Sequence, residues 1–350
     1  MLKTLVNKLR VFKRIPWLGP MIKKAYWMAL RLLPRATVER IYSGHTDWKK
    51  IDDELAQFWS SGEKGITETT RNPRIIVSLT SFPPRIPRIH YTISTLLKQT
   101  LKPDRIVLWL AEEQFPNRND DLSPELLAML DRGLSIRYTH DTKSYKKLIP
   151  AIAEFPDDII VTVDDDLLYE SNLLEKLVRS HESNPDAIHA NRAHRITANP
   201  DGTHRKYTEW KHCIGKTDGC FRNFLTSGGG TLFSPHSLHE DVSNERFFME
   251  IAPSADDIWF WAMAVLRGTK IYVVENSLPW YLNHPPSYEE IFHGPSGLEA
   301  INVIGGQNDV QFNRVLERYP IIAERLRQEI EESRAQEIDS INECKKTRKS

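Results

Sequence analysis

Asp158-Ile159-Ile160-Val161-Thr162-Val163-Asp164-Asp165-Asp166 is the stretch on which the reading of this chain turns. Its opening is short, β-branched and almost wholly apolar, the pattern of a strand buried on both faces of a parallel sheet. Three carboxylates then follow without a break. If extended geometry persists, Asp164 and Asp166 leave on one side of the chain and Asp165 on the other. Such a pair repels itself unless a cation lies between, and hard oxygen donors suit Mg²⁺ or Mn²⁺ that also holds a diphosphate. The plainer reading is a strand ending in a solvated acidic turn. Open α/β sheets bind ligands at the carboxyl ends of their central strands, and this placement favours a site.

The same buried-strand pattern recurs on the N-terminal side. Ile75 to Leu79, Ile106 to Leu110 and Leu134 to Tyr138 read as three earlier strands, with Ile159 to Val163 as the fourth. Helical patterns separate them: Ile89, Ile93, Leu96 and Leu97 after a Pro-rich turn, a helix capped by Ser123 with Pro124 at its first position, and Tyr145 to Glu154. Beyond the triplet, Ser171 is placed to cap a helix, and about Ile188 to Pro253 reads as loops and antiparallel pieces. Ser254 to Leu266 then reads as a helix, Lys270 to Val274 as a strand, and the chain from Val310 onward as charged and helical. The alternation predicts an α/β, Rossmann-like fold with a mostly parallel central sheet. Residues 1–70 read as a basic helical preface ending in a polar linker, Ser60-Ser61-Gly62-Glu63-Lys64-Gly65. Residues 71–300 read as the α/β domain and 301–350 as a helical C-terminal extension.

At 350 residues, 40% hydrophobic and 27% charged, the chain can bury one large core or one core with appendages. Its 47 Lys and Arg balance 47 Asp and Glu, so overall charge gives no ground for a nucleic-acid partner. The distribution is uneven, because residues 1–35 carry nine basic side chains and no acidic one. With Leu2, Leu5, Val6, Leu9 and Phe12 on one helical face, that segment suits an anionic membrane surface, or a helix packed on the main domain. No stretch reaches the roughly 18 apolar residues of a membrane span. Lysines and arginines also interrupt each apolar run before a signal peptide's core develops. Cys213, Cys220 and Cys344 read as free thiols in a reducing compartment. The expected location is cytoplasmic, at the inner face of the cell membrane if residues 1–35 attach there.

The order strand, Pro-rich turn, helix, strand, acidic turn, helix, short strand, basic helix, strand, Asp-x-Asp resembles nucleotide-sugar-dependent glycosyltransferases of the GT-A fold. Ser78-Leu79-Thr80-Ser81-Phe82-Pro83-Pro84-Arg85-Ile86 and Lys143-Ser144-Tyr145-Lys146-Lys147-Leu148-Ile149-Pro150, with the triplet, resemble the bacterial members that build cell-surface polysaccharide. The resemblance spans about residues 74 to 300. It implies a hexosyltransferase-like enzyme that uses Mn²⁺ or Mg²⁺, a nucleoside diphosphate-sugar donor and a glycan or lipid-linked acceptor. By position it sets Thr80, Ser81 and Arg85 against the nucleotide, where hydroxyls and a planar guanidinium suit ribose and phosphate. Glu112, beside Glu113, is the nearest match to an acid that faces the base. Lys143 and Lys147 fall at the diphosphate edge with Lys146 between them, the outer two on one face if helical. A cation there stabilises the leaving diphosphate, although exposed helical lysines are commonly just solvated. The resemblance further implies that Asp164, Asp165 and Gly229 complete the nucleotide-sugar contacts, and that Asp164 and Asp166 hold the metal with His284, or else His293, as a further ligand.

Ser254-Ala255-Asp256-Asp257-Ile258-Trp259 matches an acidic pair at a helix start. The resemblance makes Asp257 the base that deprotonates the acceptor hydroxyl, with Asp256 next in line. Ser254 followed three residues later by Asp257 fits a capping box as well. Gly228-Gly229-Gly230 lets backbone approach a sugar and its diphosphate closely, or simply bends a strand. Of the aromatics nearby, Trp280 and Tyr281 suit a sugar-stacking platform, while Trp259 and Trp261 have the spacing of core residues. Two other classes stay open. A sugar nucleotidyltransferase should carry a Gly-rich phosphate loop after the first strand, where this chain has Thr-Ser-Phe-Pro-Pro-Arg, and the third reading is a non-catalytic carbohydrate-binding or assembly protein. Inversion is the preferred outcome, although retaining enzymes of the same fold carry a similar acidic pair.

Overall fold

The computed structural model describes residues 48–275, 282–283 and 300–347. The four strands read from the sequence are β1 (Ile75–Thr80), β2 (Arg105–Ala111), β3 (Leu134–Thr139) and β4 (Ile159–Thr162). After the triplet come β5 (Leu167–Leu168), β6 (Ile188–Ala190), β7 (Ala193–Arg195), β8 (Thr217–Cys220) and β9 (Asn223–Leu225). Then follow β10 (Thr231–Phe233), β11 (Ile271–Val273) and β12 (Leu282–Asn283). Eight of them form one sheet in the order β3-β2-β1-β4-β10-β6-β11-β8. β1 pairs parallel with β2 and β4, and β2 pairs parallel with β3. β10 runs antiparallel between β4 and β6, and β8 is antiparallel at the far edge. The fold is therefore α/β, Rossmann-like and mostly parallel, as the alternation predicts. Chain order reverses between β1 and β4, so their carboxyl ends bound the crevice in which sheets of this kind bind ligands.

The helices are α1 (Trp48–Ser61), α2 (Ile89–Leu97), α3 (Pro124–Leu127), α4 (Ile149–Glu154) and α5 (Leu173–Ser183). They continue with α6 (Glu245–Ile251), α7 (Asp256–Arg267), α8 (Gln307–Arg318) and α9 (Pro320–Thr347). One face of the sheet, with Val77, Leu79, Leu108 and Val161, packs on Ile93 of α2, Leu126 of α3 and Leu174 of α5. The other, with Ile76, Val107, Trp109 and Ile160, packs on Ala151, Phe248, Trp259, Val315 and Ile322 of α4, α6, α7, α8 and α9. Burial on both faces is why these strands read as continuous apolar runs rather than as alternation. Trp259 and Trp261 lie wholly inside this core.

Several local readings need correction. Tyr145 to Glu154 is not one helix: a 3₁₀ turn over Lys143–Lys147 precedes α4, which carries Pro150 in its first turn. Proline has no N–H and disfavours helical geometry in the residue before it, so it fits a helix start and not a helix interior. The residue capping α5 is Asn172, without a side-chain cap bond, while the Ser171 carbonyl accepts from the Thr100 amide at 2.7 Å. Ser60 to Gly65 is no free linker. Arg132 donates to the Glu63 carbonyl at 3.0 Å and to the Trp59 carbonyl, and an added Cβ on Gly65 would lie 2.4 Å from Leu97.

A buried hydrogen-bond chain carries the 3₁₀ turn onto the sheet. Trp109 Nε1 donates to Ser78 Oγ at 3.0 Å, and that hydroxyl donates to the Lys147 carbonyl at 2.6 Å. Ser78→Ala leaves both partners buried and unpaired, which should lower the unfolding free energy by about 1–3 kcal/mol. Urea denaturation of the variant against wild type checks this.

Candidate active site

The acidic triplet stands where β1 and β4 end, in a turn and not in extended chain. Its carboxylates therefore do not alternate as a strand would have them. Asp165 and Asp166 both face Arg85, whose Nη1 lies 2.5 Å from Asp165 Oδ1 and 2.9 Å from Asp166 Oδ2. Asp165 also accepts from Ser81 Oγ at 2.5 Å. Asp164 turns the other way, and its Oδ1 accepts from Lys147 Nζ at 2.5 Å. The Asp164 amide donates to Tyr169 Oη at 2.8 Å, and that hydroxyl donates to the Gly228 carbonyl at 2.6 Å.

Lys147 joins the triplet to the acidic pair at the start of α7. Its ammonium lies 3.2 Å from Asp256 Oδ2 and 3.4 Å from Ser227 Oγ. Asp257 accepts on one oxygen, Oδ1, from the Ser227 amide at 2.8 Å and from Ser227 Oγ at 2.5 Å. No hydrogen bond among the described residues ends on its Oδ2. Asp256 is buried at 5% exposure, whereas Asp257 is partly open to solvent. The capping box is not formed: the residue capping α7 is Ala255, no side chain caps the helix, and Ser254 Oγ is bonded to Asn302 and Gln311. Two acids adjacent in sequence thus have different environments.

Burial opposes the charge on Lys147, but Asp164, Asp256 and Asp257 more than offset this and hold its pKa above the usual lysine value. Burial also opposes ionisation of Asp164, yet Lys147, helped by Arg192 and Arg85, keeps that carboxyl below its ordinary range. Asp166 goes the other way. Burial and the charges of Asp164 and Asp165 outweigh Arg85 and lift it to about 6. Burial and Asp256 likewise lift Asp257 to about 6, against Lys147 and Ser227. Asp165 is raised as well, through burial, despite Arg85 and Ser81.

Among the described residues no three His, Cys, Asp or Glu side chains converge as a ready ligand set for a metal. The donor chemistry nevertheless fits a hard dication. Every donor is oxygen, and the carboxylates of Asp164, Asp165, Asp166, Asp256 and Asp257 outnumber the cations Lys147, Arg85 and Arg192. Asp166 is the most open of the triplet, its side chain 39% exposed.

Of the residues singled out in the sequence, Ser81, Arg85, Lys147, Asp164, Asp165, Asp166, Asp256 and Asp257 meet in this cluster. Thr80 lies at the same sheet edge, with Oγ1 donating to the Trp109 carbonyl at 2.8 Å. Glu112 is exposed and paired with Arg118 at 3.0 Å, and Glu113 bonds His140 at 2.7 Å. Lys143 and Lys147 do not share a face, because the turn between them is 3₁₀ and Lys143 takes φ +56°. Lys143 Nζ donates to the Pro253 carbonyl at 3.1 Å, and Lys146 donates to Asp141. The glycine run is closely approached, but by the protein itself: a Cβ on Gly228 would meet Asp164 Oδ2 at 1.6 Å, and one on Gly229 would meet Arg192 Cβ at 2.6 Å. His284, His293, Trp280, Tyr281 and the basic segment 1–35 lie outside the described residues. Sequence reasoning missed Ser227, Tyr169 and Arg192. Ser227 directly precedes the run Gly228-Gly229-Gly230, where only the glycines drew attention.

The sequence matches no protein-family model and no curated protein. Among solved structures it is similar to the mannosyltransferase PcManGT from Pyrobaculum calidifontis in complex with GDP-Man and Mn²⁺, at 14% identity over 73% of this chain and 68% of that one, with TM-score 0.35. It is similar also to a cytidylyltransferase from Leptospira borgpetersenii, at 12% identity over 69% and 96% of the two chains, with TM-score 0.37. A CMP-2-keto-3-deoxy-manno-octonic acid synthetase complexed with CTP matches at 10% identity over 63% and 97%, with TM-score 0.35. At such scores the likeness speaks to neither activity nor substrate, and the chemistry has to be found in the side chains themselves.

Two outcomes follow from the packing and charge of the cluster. Gly228→Ala forces its Cβ onto Asp164 and should cost more than the about 1–3 kcal/mol usual for an overpacked site, measured by chemical denaturation. Asp257 titrates near 6 in the fold, against about 3.9 in an unfolded chain, so folding favours its protonated form. Its contribution makes the metal-free protein less stable as pH rises from about 4 to about 6, and little more is lost above that. Asp257→Asn should therefore be more stable than wild type at pH 7 without divalent metal, by on the order of 1–2 kcal/mol in urea denaturation, and should lose that part of the pH dependence.

Proposed function

We propose that this protein is a GT-A-type glycosyltransferase. In this reading it moves a sugar from a nucleoside diphosphate-sugar to a hydroxyl of a glycan or lipid-linked acceptor in surface polysaccharide synthesis, with inversion. The observation that carries the reading is the divergence of Asp256 and Asp257 beside the triplet. Asp256 is buried on Lys147 and has no access to a substrate proton. Asp257 is held by one oxygen, has no partner on the other among the described residues, and titrates near the pH at which a base must work.

The donor's nucleotide lies against Thr80 and Arg85 where β1 ends, with Ser81 buried behind them on Asp165. Asp257 Oδ2 takes the proton of the acceptor hydroxyl, and the hydroxyl oxygen bonds to the anomeric carbon. The bond from that carbon to the diphosphate oxygen breaks, and its electron pair leaves with the nucleoside diphosphate. Asp166, the more open of the two, would hold Mn²⁺ or Mg²⁺, with Asp164, turned onto Lys147, adding its charge from behind, and the ion when bound supplies positive charge to the leaving diphosphate. Lys147 is too buried to grip that diphosphate itself and acts by holding Asp164 and Asp256 in place.

A sugar nucleotidyltransferase is the second reading. It needs a turn after β1 rich in free backbone amides to cradle a triphosphate. Here that turn is a 3₁₀ turn in which Pro83 and Pro84 offer no N–H, which favours sugar transfer. No helix among the described residues is long and apolar enough to cross a membrane. For the acceptor side we propose that the basic segment 1–35 attaches to anionic lipid. Wild type should sediment with anionic vesicles in a salt-sensitive way and a chain beginning at Arg71 should not.

The test is a screen of nucleotide-sugars for Mn²⁺-dependent turnover, with the anomer of the product read by NMR. Asp257→Asn should keep donor binding and lose transfer by about 10²- to 10⁴-fold, and Asp166→Ala, with Asp164→Ala more mildly, should lose metal-dependent nucleotide affinity. Nucleotidyl transfer from a nucleoside triphosphate, or near-normal sugar transfer by Asp257→Asn, would overturn the reading.

A further inference from the structure

Helix α7 presents Asp256 and Asp257 in its first turn, yet it has no cap of its own. Ala255 stands at the capping position, Asp256 is taken by Lys147, and Asp257 is taken by Ser227. What fixes the path of the chain into α7 comes from elsewhere. Three consecutive carbonyls ahead of the helix each accept from a side chain distant in sequence. Ala252 accepts from Tyr145 Oη at 2.6 Å, Pro253 from Lys143 Nζ at 3.1 Å, and Ser254 from Asn302 Nδ2 at 2.5 Å.

Ser254 is held at its other polar atoms too. Its amide donates to Gln311 Oε1 at 3.0 Å, and its hydroxyl donates to Asn302 Oδ1 at 2.7 Å. Gln311 Nε2 in turn reaches Ser254 Oγ at 3.0 Å and the Gln307 carbonyl at 3.1 Å, which ties the contact to the first turn of α8. Gln311 is 1% exposed. An amide side chain sealed in this way, with both ends bonded, is held in one rotamer and transmits position instead of absorbing it.

We propose that Tyr145, Lys143, Asn302 and Gln311 form a brace on residues 252–254 whose task is to place the Asp256–Asp257 pair, so that the C-terminal helical extension is a working part of the active site. Lys143, Asn302 and Gln311 are positioning residues and do not touch the substrate. The proposal rests on the glycosyltransferase reading for its chemistry and on the hydrogen bonds alone for its mechanics. Small displacements of a base from its reacting proton are costly in rate, so loosening the brace should slow turnover without weakening donor binding.

Hydrogen exchange and kinetics on three variants test it. Gln311→Ala and Lys143→Met should both speed amide exchange over residues 255–259. They should lower kcat, about 10- to 100-fold for Gln311→Ala, with donor KM unchanged within about twofold. Val315→Ala, a buried α8 change that leaves Ser254 alone, should lower the melting temperature but leave kcat and that exchange as in wild type. Should Gln311→Ala fail to fold, Lys143→Met decides alone, because that side chain is exposed. Unchanged exchange in the brace variants would overturn the proposal. So would a fall in kcat no larger than that of Val315→Ala, or a rise in donor KM for Lys143→Met, the mark of a phosphate ligand. A wild-type protein that transfers no sugar would defeat the functional reading, and exchange would still judge the brace.

Discussion

The arrangement depends on one buried ammonium. Lys147 has lost nearly all its water and keeps its charge because Asp164 and Asp256 lie against it from two different parts of the chain, with Asp257 close by. Taking one member from such a buried pair costs about 3–5 kcal/mol, since the partner is left charged and dry. The cost is itself informative. Asp164 comes from the end of β4, Asp256 from the start of α7 and Lys147 from the turn before α4, so three separate segments must be correctly docked before the charges balance.

Closeness of backbone is the second constraint. Ser227 and Gly228 lie between the two acidic groups and touch both. The Ser227 amide and hydroxyl hold Asp257, while Gly228 leaves the space that the Asp164 carboxylate fills. Any side chain at Gly228 would push the groups apart. A glycine is therefore required there by a neighbour within the protein, and the β4–β10 pairing that brings this turn to the triplet is antiparallel. The antiparallel strand inserted into the parallel sheet thus brings Ser227 and Gly228 between the two carboxylate groups.

The helical extension bears on the same point from the opposite side. α8 and α9 cover the face of the sheet that carries α7, with Phe312, Val315, Ile322 and Leu326 in the core. Glu329 of α9 accepts from the Phe221 and Arg222 amides at 2.8 and 2.9 Å, and Arg325 donates to the Val265 carbonyl. The extension is thus fastened at both ends of α7, by Ser254 ahead of its first turn and by Val265 in its last.

The strands β1 to β4, their parallel order and the acidic triplet at a strand end were legible in the sequence, because a strand buried on both faces must be a short apolar run whatever surrounds it. The same logic placed Trp259 and Trp261 in the core. Helix starts were less legible. Ser171 and Ser254 have the right chemistry for caps, but Ser171 stands one residue ahead of the capping position, the Ser254 hydroxyl is taken by Asn302 and Gln311, and Pro150 divided a helix that the apolar spacing had joined. Partner choice within the site belonged to the tertiary structure. The sequence alone paired Asp164 with Asp166 and Lys143 with Lys147. The turn after Val163 sent Asp165 and Asp166 to Arg85, and the 3₁₀ geometry sent Lys147 inward and Lys143 to Pro253. Local patterns record which face of an element is apolar, since burial acts residue by residue. Charges instead settle with whichever opposite charge the docked elements bring within a few ångströms, and only the assembled fold determines that distance.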